Sequence, residues 1–227
     1  MTRRADVAVI DEGLRRYMLR VYNYMGSGLA LTGFVAYAVA HTPVLFNAIF
    51  GTPLVWVVIF APLGVVILLS ARLHKMSVVG AQTTFWIFAG LMGLSLASIF
   101  VIYTGESIAR VFFITAGVFG AMSLYGYTTK RSLAGWGSFL FMGLIGIIIA
   151  SLVNLFIASS ALQFAVSVIG VIVFTGLTAY DTQRIKEMYM ETAAADVTTK
   201  TAILGALRLY LDFINLFIML LHLFGRR

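Results

Sequence analysis

The last apolar stretch of the chain, residues 201–224, is long enough to cross a bilayer, yet it carries an aspartate near its centre. At about 1.5 Å per residue, a helix of this length spans roughly 36 Å and holds Asp212 about 16 Å from its start. A charged side chain at mid-membrane costs on the order of 3 kcal/mol on insertion scales, so it should face protein or water instead of lipid. We therefore expect the other helices to surround this one, and we expect Asp181, at the end of the preceding apolar stretch, to be its partner.

Composition indicates an integral membrane protein, because 61% of the residues are hydrophobic and only 11% are charged, against about 25% charged in a soluble domain. We predict an all-α fold, a seven-transmembrane-helix bundle with the C-terminal helix at its centre. A polar cytoplasmic tail, residues 1–20, precedes one transmembrane domain, residues 21–225. The first span ends in a sequence that resembles a signal-peptidase site, residues 38–40, but a basic lead-in is equally expected of a retained first helix. The predicted spans are 21–40, 54–71, 78–103, 107–127, 136–158, 161–180 and 201–224.

The basic residues predict a cytoplasmic N-terminus. With seven crossings, this orientation puts every Lys and Arg on or near the cytoplasmic side except Arg110, Arg226 and Arg227, which agrees with the excess of positive charge in cytoplasmic loops. A last segment that enters the membrane and returns would instead keep Arg226 and Arg227 in the cytoplasm. Only Gly205 and Asp212 hint at such a break, so seven crossings are favoured.

Several classes of function are disfavoured by the residues present. The net charge of +7 is better explained by topology and by attraction to anionic lipid than by nucleic acid, which we do not expect as a partner. The chain has no cysteine, and its three histidines have no metal-binding spacing. Neither aspartate lies in the GxGD context of intramembrane aspartyl proteases. We therefore expect neither an enzyme nor a bound cofactor.

The two aspartates are the best candidates for chemistry at membrane depth. Two carboxylates close together in a low dielectric cannot both ionise easily, so they share a proton and titrate in two separated steps. Such a pair is also a possible transient contact for Ca²⁺. Two plainer interpretations stay open: Arg208, four residues before Asp212, could neutralise it within one helix, and Asp181 could be an interfacial cap paired with Arg184.

Two stretches of the sequence resemble a known family. The segments VFTGLTAYDTQRIK and LYLDFINLFIMLLHLFG closely resemble the signature stretches of the Bax inhibitor-1 family, the transmembrane BAX-inhibitor-motif proteins. The resemblance covers nearly the whole chain, and it implies a seven-helix membrane bundle with the last helix at its centre. Bacterial members that resemble this chain are described as proton-sensitive calcium-leak channels, in which a pair of aspartates on the sixth and seventh helices senses pH. Matching the motifs residue by residue assigns that role to Asp181 and Asp212.

The resemblance also implies a charge partner, a location and a rival function. An arginine at the end of the family's second helix latches the aspartate pair, and Arg72 is the nearest match. Bacterial members lie in the inner membrane, and some are associated with a membrane-bound quality-control protease, which makes a regulatory binding protein the alternative. A bundle whose centre is filled by its own helix needs no second copy, so we expect a monomer.

Overall fold

The computed structural model describes the backbone of residues 2–189 and 194–226, and the side chains of these ranges from Glu12 onward. Arg3, Arg4 and Arg227, which entered the orientation argument, lie outside the described side chains. Within the described ranges the secondary structure is helical, with no strand. In chain order the helices are α1 (Thr2–Ala40), α2 (Pro43–Phe50), α3 (Leu54–Arg72), α4 (Val78–Leu96), α5 (Ile99–Ile102), α6 (Gly105–Thr128), α7 (Ala134–Ile157), α8 (Ser160–Glu187) and α9 (Ala195–Phe224), with a 3₁₀ turn, Leu73–Lys75, after α3.

The predicted all-α membrane fold is confirmed. Six of the described helical segments are long and apolar enough to cross a membrane, and the count reaches seven if α1 from Glu12 and α2, which bend by 97° at residues 41–42, form one broken span. The segment of α9 is 67% buried, whereas the other five are between 11% and 39% buried. A helix that protein covers on most sides is what the buried aspartate in α9 requires.

The helix ends differ from the predicted spans. The predicted first loop contains α2, whose Pro43 suits a first helical turn because that position needs no N–H donor. The third predicted span, residues 78–103, matches one candidate membrane span, Val78–Ile102, which contains a turn at residues 97–98 between α4 and α5. The predicted long polar loop, residues 181–200, is also wrong, since α8 continues to Glu187 and α9 begins at Ala195. Hydropathy marks membrane depth, whereas a helix ends where its backbone hydrogen bonds end.

The described chain divides into two compact units. The first comprises residues 1–102 and 185–210, and the second comprises residues 103–184 and 211–227. Within the first unit, α1 packs closely against α4, where Gly93 leaves room for the backbone oxygen of Thr32 and the side chain of Val35. Nearby, the Thr32 hydroxyl donates to the Ala89 carbonyl at 2.8 Å and lies 2.6 Å from the hydroxyl of Tyr210.

The second unit consists of α6, α7, most of α8 and the last part of α9. A left-handed residue, Ala158 with a φ of 52°, ends α7, and the Asn154 side-chain oxygen accepts a hydrogen bond from Ser159 N at 2.9 Å across the turn. Both predicted aspartates, Asp181 and Asp212, belong to this unit.

Candidate functional site: two aspartates beside one turn of α6

Asp212 lies within α9 and is only 5% exposed. The next residue, Phe213, packs its ring edge-on against Phe119 of α6, with the centroids 5.5 Å apart at 69°. Such an edge-to-face pair is a favoured aromatic geometry. The contact fixes the position of this part of α9 beside the middle of α6.

Asp181 is half-buried and lies inside α8, six residues before the helix ends at Glu187. Its predicted place at the end of the helix is therefore wrong, because the polar residues that follow continue the helix. The next residue, Thr182, is fully buried, and its hydroxyl forms a 3.0 Å hydrogen bond with the hydroxyl of Ser123 on α6. This bond fixes the position of Asp181 beside α6 as well.

The two contacts fall on one face of α6. Phe119 and Ser123 are four residues apart, so they lie one helical turn apart on the same face. Gly126 continues this face, and its Cα approaches the backbone of Ala179 on α8 so closely that no side chain fits between the helices. The residues that follow each aspartate thus contact the same turn of α6.

The register of α8 against α9 supports the same conclusion. Within the second unit, Gly170 of α8 abuts the side chain of Met219 on α9. Asp181 is eleven residues beyond Gly170, about 16 Å along α8, and Asp212 is seven residues before Met219, about 10 Å along α9. The helices run in opposite directions, so the two aspartates differ in level by about 6 Å, close to one helical turn.

The three arginines predicted as charge partners of the aspartates lie on different helices or in different environments. Arg184 donates a 3.1 Å hydrogen bond to the hydroxyl of Tyr180, and the interpretation of Asp181 as a cap is wrong because Asp181 lies within a helix. Arg208 is half-buried and precedes Asp212 by one turn of α9. Arg72 is the last residue of α3, is exposed and belongs to the first unit. Its role as a latch stays a prediction.

Sequence reasoning missed Ser123, Thr182 and Gly126. None of the three is distinctive in a chain with 21 glycines and many hydroxyl residues, and only the structure shows that they face one another. Gln183, by contrast, is a hydrogen-bonding residue of the fold. Its side-chain oxygen accepts from Leu133 N at 2.7 Å and its amide donates to the Arg131 carbonyl at 3.0 Å, which anchors the loop between α6 and α7.

The far end of α9 is attached to the beginning of α6. Arg226 N donates to the Ser107 hydroxyl at 2.9 Å, and Thr104 N donates to the Arg226 carbonyl at 3.1 Å. Helix α9 runs without a break, so the alternative of a segment that enters and returns is wrong. The C-terminal end of α9 lies beside Arg110 of α6, whose guanidinium is 3.4 Å from the Phe224 carbonyl.

The described residues contain no group of three or more His, Cys, Asp or Glu side chains placed to hold a metal ion. Ca²⁺ usually takes six to eight oxygen ligands. The carboxylates of Asp181 and Asp212 could therefore supply only part of a coordination shell.

Comparison with known proteins places the chain in a family. Residues 14–227 match the family described as "Inhibitor of apoptosis-promoting Bax1". The inner membrane protein YbhL of Escherichia coli K12 is 52% identical over 218 residues, which cover 95% of this chain and 93% of YbhL. The protein RP147 of Rickettsia prowazekii is 52% identical over 96% of this chain and 92% of its own length. The membrane protein SpyM3_0260 of Streptococcus pyogenes is 36% identical over 95% of both chains. This chain therefore belongs to the Bax inhibitor-1 family of integral membrane proteins.

Proposed function

We propose that this protein is a pH-sensitive calcium-leak channel of the bacterial inner membrane, gated by the carboxylates of Asp181 and Asp212. The observation that carries the proposal is the position of both residues, on membrane-crossing helices and beside the same turn of α6. The location is supported by the relative YbhL, which is an inner membrane protein. The proposal assigns neither a catalytic residue nor a cofactor.

The gating argument follows from the cost of charge in a low dielectric. At acidic pH the two carboxyl groups share at least one proton, which removes their mutual repulsion and allows α8 and α9 to remain closely packed. At neutral to alkaline pH both groups ionise, and the repulsion favours a state in which the helices have shifted and water reaches the carboxylates. Flux should therefore rise with pH and fall on acidification.

The neighbouring hydroxyl groups suit a site that changes protonation. Ser123 and Thr182 lie at the level of the aspartates, and a hydroxyl can donate to a carboxylate or accept from a carboxylic acid by rotating. Two hydroxyl groups at this position are compatible with an ionised or a protonated carboxyl group, whereas two apolar side chains would favour the protonated, neutral form. Arg208, one turn from Asp212 on the same helix, is the proposed countercharge.

Ca²⁺ enters the proposal as the permeating ion. Two carboxylates can replace part of its hydration shell without holding it permanently, because the remaining ligands must come from water. A site that binds weakly enough to release the ion is what conduction requires.

The test is Ca²⁺ flux into dye-loaded liposomes that contain only this protein, measured at pH 6 and pH 8. Wild type should conduct more at pH 8. The Asp212→Asn variant and the Asp181→Asn, Asp212→Asn double variant should lose most of the difference between the two pH values. Asp196→Asn is the matched control, because Asp196 is exposed in the first turn of the same helix. An unchanged pH profile in the double variant would refute the sensor assignment.

A second candidate function is a membrane-embedded modulator that binds another membrane protein, such as a quality-control protease. It is favoured by the open space beside Gly146 of α7, where an added Cβ meets nothing within 4 Å, whereas Gly143 on the same helix packs against Val173 of α8. This candidate predicts no flux from the folded, purified protein. It also predicts that Gly146→Leu abolishes cross-linking to the partner in membranes, while the protein remains folded.

A further inference from the structure

The first unit contains a groove that the proposed channel function does not use. Residues of α1, α4 and the beginning of α9 line it, and it has a volume of about 690 Å³. Polar and apolar side chains share the lining, and they include Arg16, Arg20, Tyr24, Gln82, Trp86 and Thr199. We propose that this groove binds an anionic phospholipid, with the phosphate at the two arginines and one acyl chain along the remainder of the groove.

The two arginines form the charged end of the groove. Arg16 and Arg20 are one turn apart on α1, so their guanidinium groups lie on one face. The side chain of Arg16 is 72% exposed and forms an ion pair with Glu12 at 2.5 Å. Arg20 uses one nitrogen to donate to the hydroxyl of Thr199 at 2.8 Å. A guanidinium has five N–H donors, so both arginines keep donors for a phosphate.

A third cation lies at the same end of the first unit. Lys200, next to Thr199, is 3.5 Å from the His74 carbonyl and 3.4 Å from the Met76 carbonyl, at the turn that precedes α4. Glu12 offsets one positive charge, so Arg16, Arg20, Lys200 and Glu12 together carry a net charge of about +2. This balance suits an anionic headgroup and disfavours a zwitterionic one.

Beyond the arginines the lining is mixed: Leu19, Val78 and Trp86 offer an apolar surface to an acyl chain, and Asn23, Ser27 and Gln82 are polar. The groove extends along α1 from Arg16 to Ser27, eleven residues or about 16 Å. That length is about half of a hydrocarbon core of roughly 30 Å, the thickness of one leaflet. The ring of Tyr24 contacts the ring of Trp86, with the centroids 6.3 Å apart. The Tyr24 hydroxyl accepts a hydrogen bond from the Gln82 side-chain amide at 2.6 Å. Tyr and Trp side chains are typical of the interface between lipid headgroups and acyl chains.

The chemistry favours a lipid over a free phosphate ion. A free ion would use only the arginine end and leave the aromatic and aliphatic lining against water. A lipid would place its phosphate at the arginines and its acyl chain against the apolar side chains. Basic pockets between transmembrane helices are known to hold anionic headgroups. The groove and its residues belong to the first unit, so the inference does not depend on the proposed role of the aspartates.

The experiment measures binding of phosphatidylglycerol to the full-length protein in detergent by native mass spectrometry. The Arg16→Gln, Arg20→Gln double variant should bind about thirtyfold more weakly, since each basic residue contributes about fivefold. The matched control is the Lys130→Gln, Arg131→Gln double variant, which loses the same charge from an exposed loop of the other unit. The control should bind as wild type does. Equal weakening in both double variants would mean that binding depends on overall charge, and it would overturn the proposal.

Two further measurements keep the test independent of folding defects. Glu12→Gln removes the carboxylate that competes for Arg16, so affinity should rise about fivefold, a gain that a misfolded protein would not give. Glycerol 1-phosphate, the soluble headgroup, should compete only at concentrations at least a hundredfold above those of the lipid. The proposal fails if Glu12→Gln leaves affinity unchanged or lowers it, or if glycerol 1-phosphate displaces the lipid at equal concentration.

Discussion

Gly126 is the position at which a single added methyl group should disturb the aspartate site most. A Cβ at residue 126 would overlap the carbonyl oxygen of Ala179 and come within 2.9 Å of its carbonyl carbon and 3.0 Å of its Cα. These atoms belong to the backbone of α8, so no side chain can rotate away. Nonbonded carbons prefer about 3.5–4.0 Å, so Gly126→Ala must separate α6 from α8 by about 1 Å.

The expected magnitude follows from a comparison within the same helix. Gly120 also lies on α6, but an added Cβ there meets no atom within 4 Å. Both replacements gain the same helix propensity, about 0.5–1 kcal/mol. The difference in the free energy of unfolding between Gly126→Ala and Gly120→Ala therefore isolates the cost of overpacking, about 1–3 kcal/mol. Gly120→Ala should be neutral or slightly more stable than wild type.

The measurement is unfolding of the two variants in mixed micelles, followed by helical content as denaturing detergent is added. Because Ala179 is two residues from Asp181, Gly126→Ala should also shift the pH dependence of flux, whereas Gly120→Ala should leave it unchanged. If the two variants unfold at the same detergent fraction, α6 and α8 are not in the close contact from which the site is built, and the reasoning is refuted.

Three further changes have expected outcomes. Tyr210→Phe removes the buried hydroxyl that lies 2.6 Å from the hydroxyl of Thr32, so it should lower the free energy of unfolding by about 1 kcal/mol in the same micelle assay. Gln183→Leu leaves the buried Leu133 N–H without its acceptor, so it should cost about 1–3 kcal/mol and speed hydrogen exchange at that amide. Ala158→Gly relieves the left-handed φ of 52° and should stabilise the protein by about 0.5–1 kcal/mol in thermal unfolding.

The membrane fold could be predicted from the sequence because hydropathy depends on composition alone. Each of the last six predicted spans overlaps an apolar helix of the structure. The ends of the helices could not be predicted in this way. Residues 181–187 are polar except Ile185, yet they continue α8, and buried Thr182 and Gln183 show that polar residues in this segment can still pack. The 97° bend between α1 and α2 lies directly after the predicted end of the first span, but helix α2 itself, within the predicted loop, was not predicted.

The candidate site could be predicted only in part. Asp212 could be identified because placing a carboxylate inside the membrane costs free energy, so an aspartate in an apolar stretch indicates a specific environment. Its surroundings were not identifiable, since Ser123 and Thr182 are 59 residues apart in the chain and neither is costly by itself. The pairing of such residues depends on helix register, which composition does not encode.

One face of α6 shows how three ordinary residues specify a site. Phe119, Ser123 and Gly126 follow the spacing of four and three that keeps side chains on one side of a helix. Phe119 fills space beside α9, Ser123 bonds to α8, and Gly126 admits the α8 backbone. Gly117 and Gly120 lie outside this face and meet nothing within 4 Å, so packing within the chain requires glycine at residue 126 and does not require it at residues 117 and 120. The surroundings of Asp181 and Asp212 therefore depend on the order of side-chain sizes along α6, and a change on this face should alter the response to pH even where both carboxylates are intact.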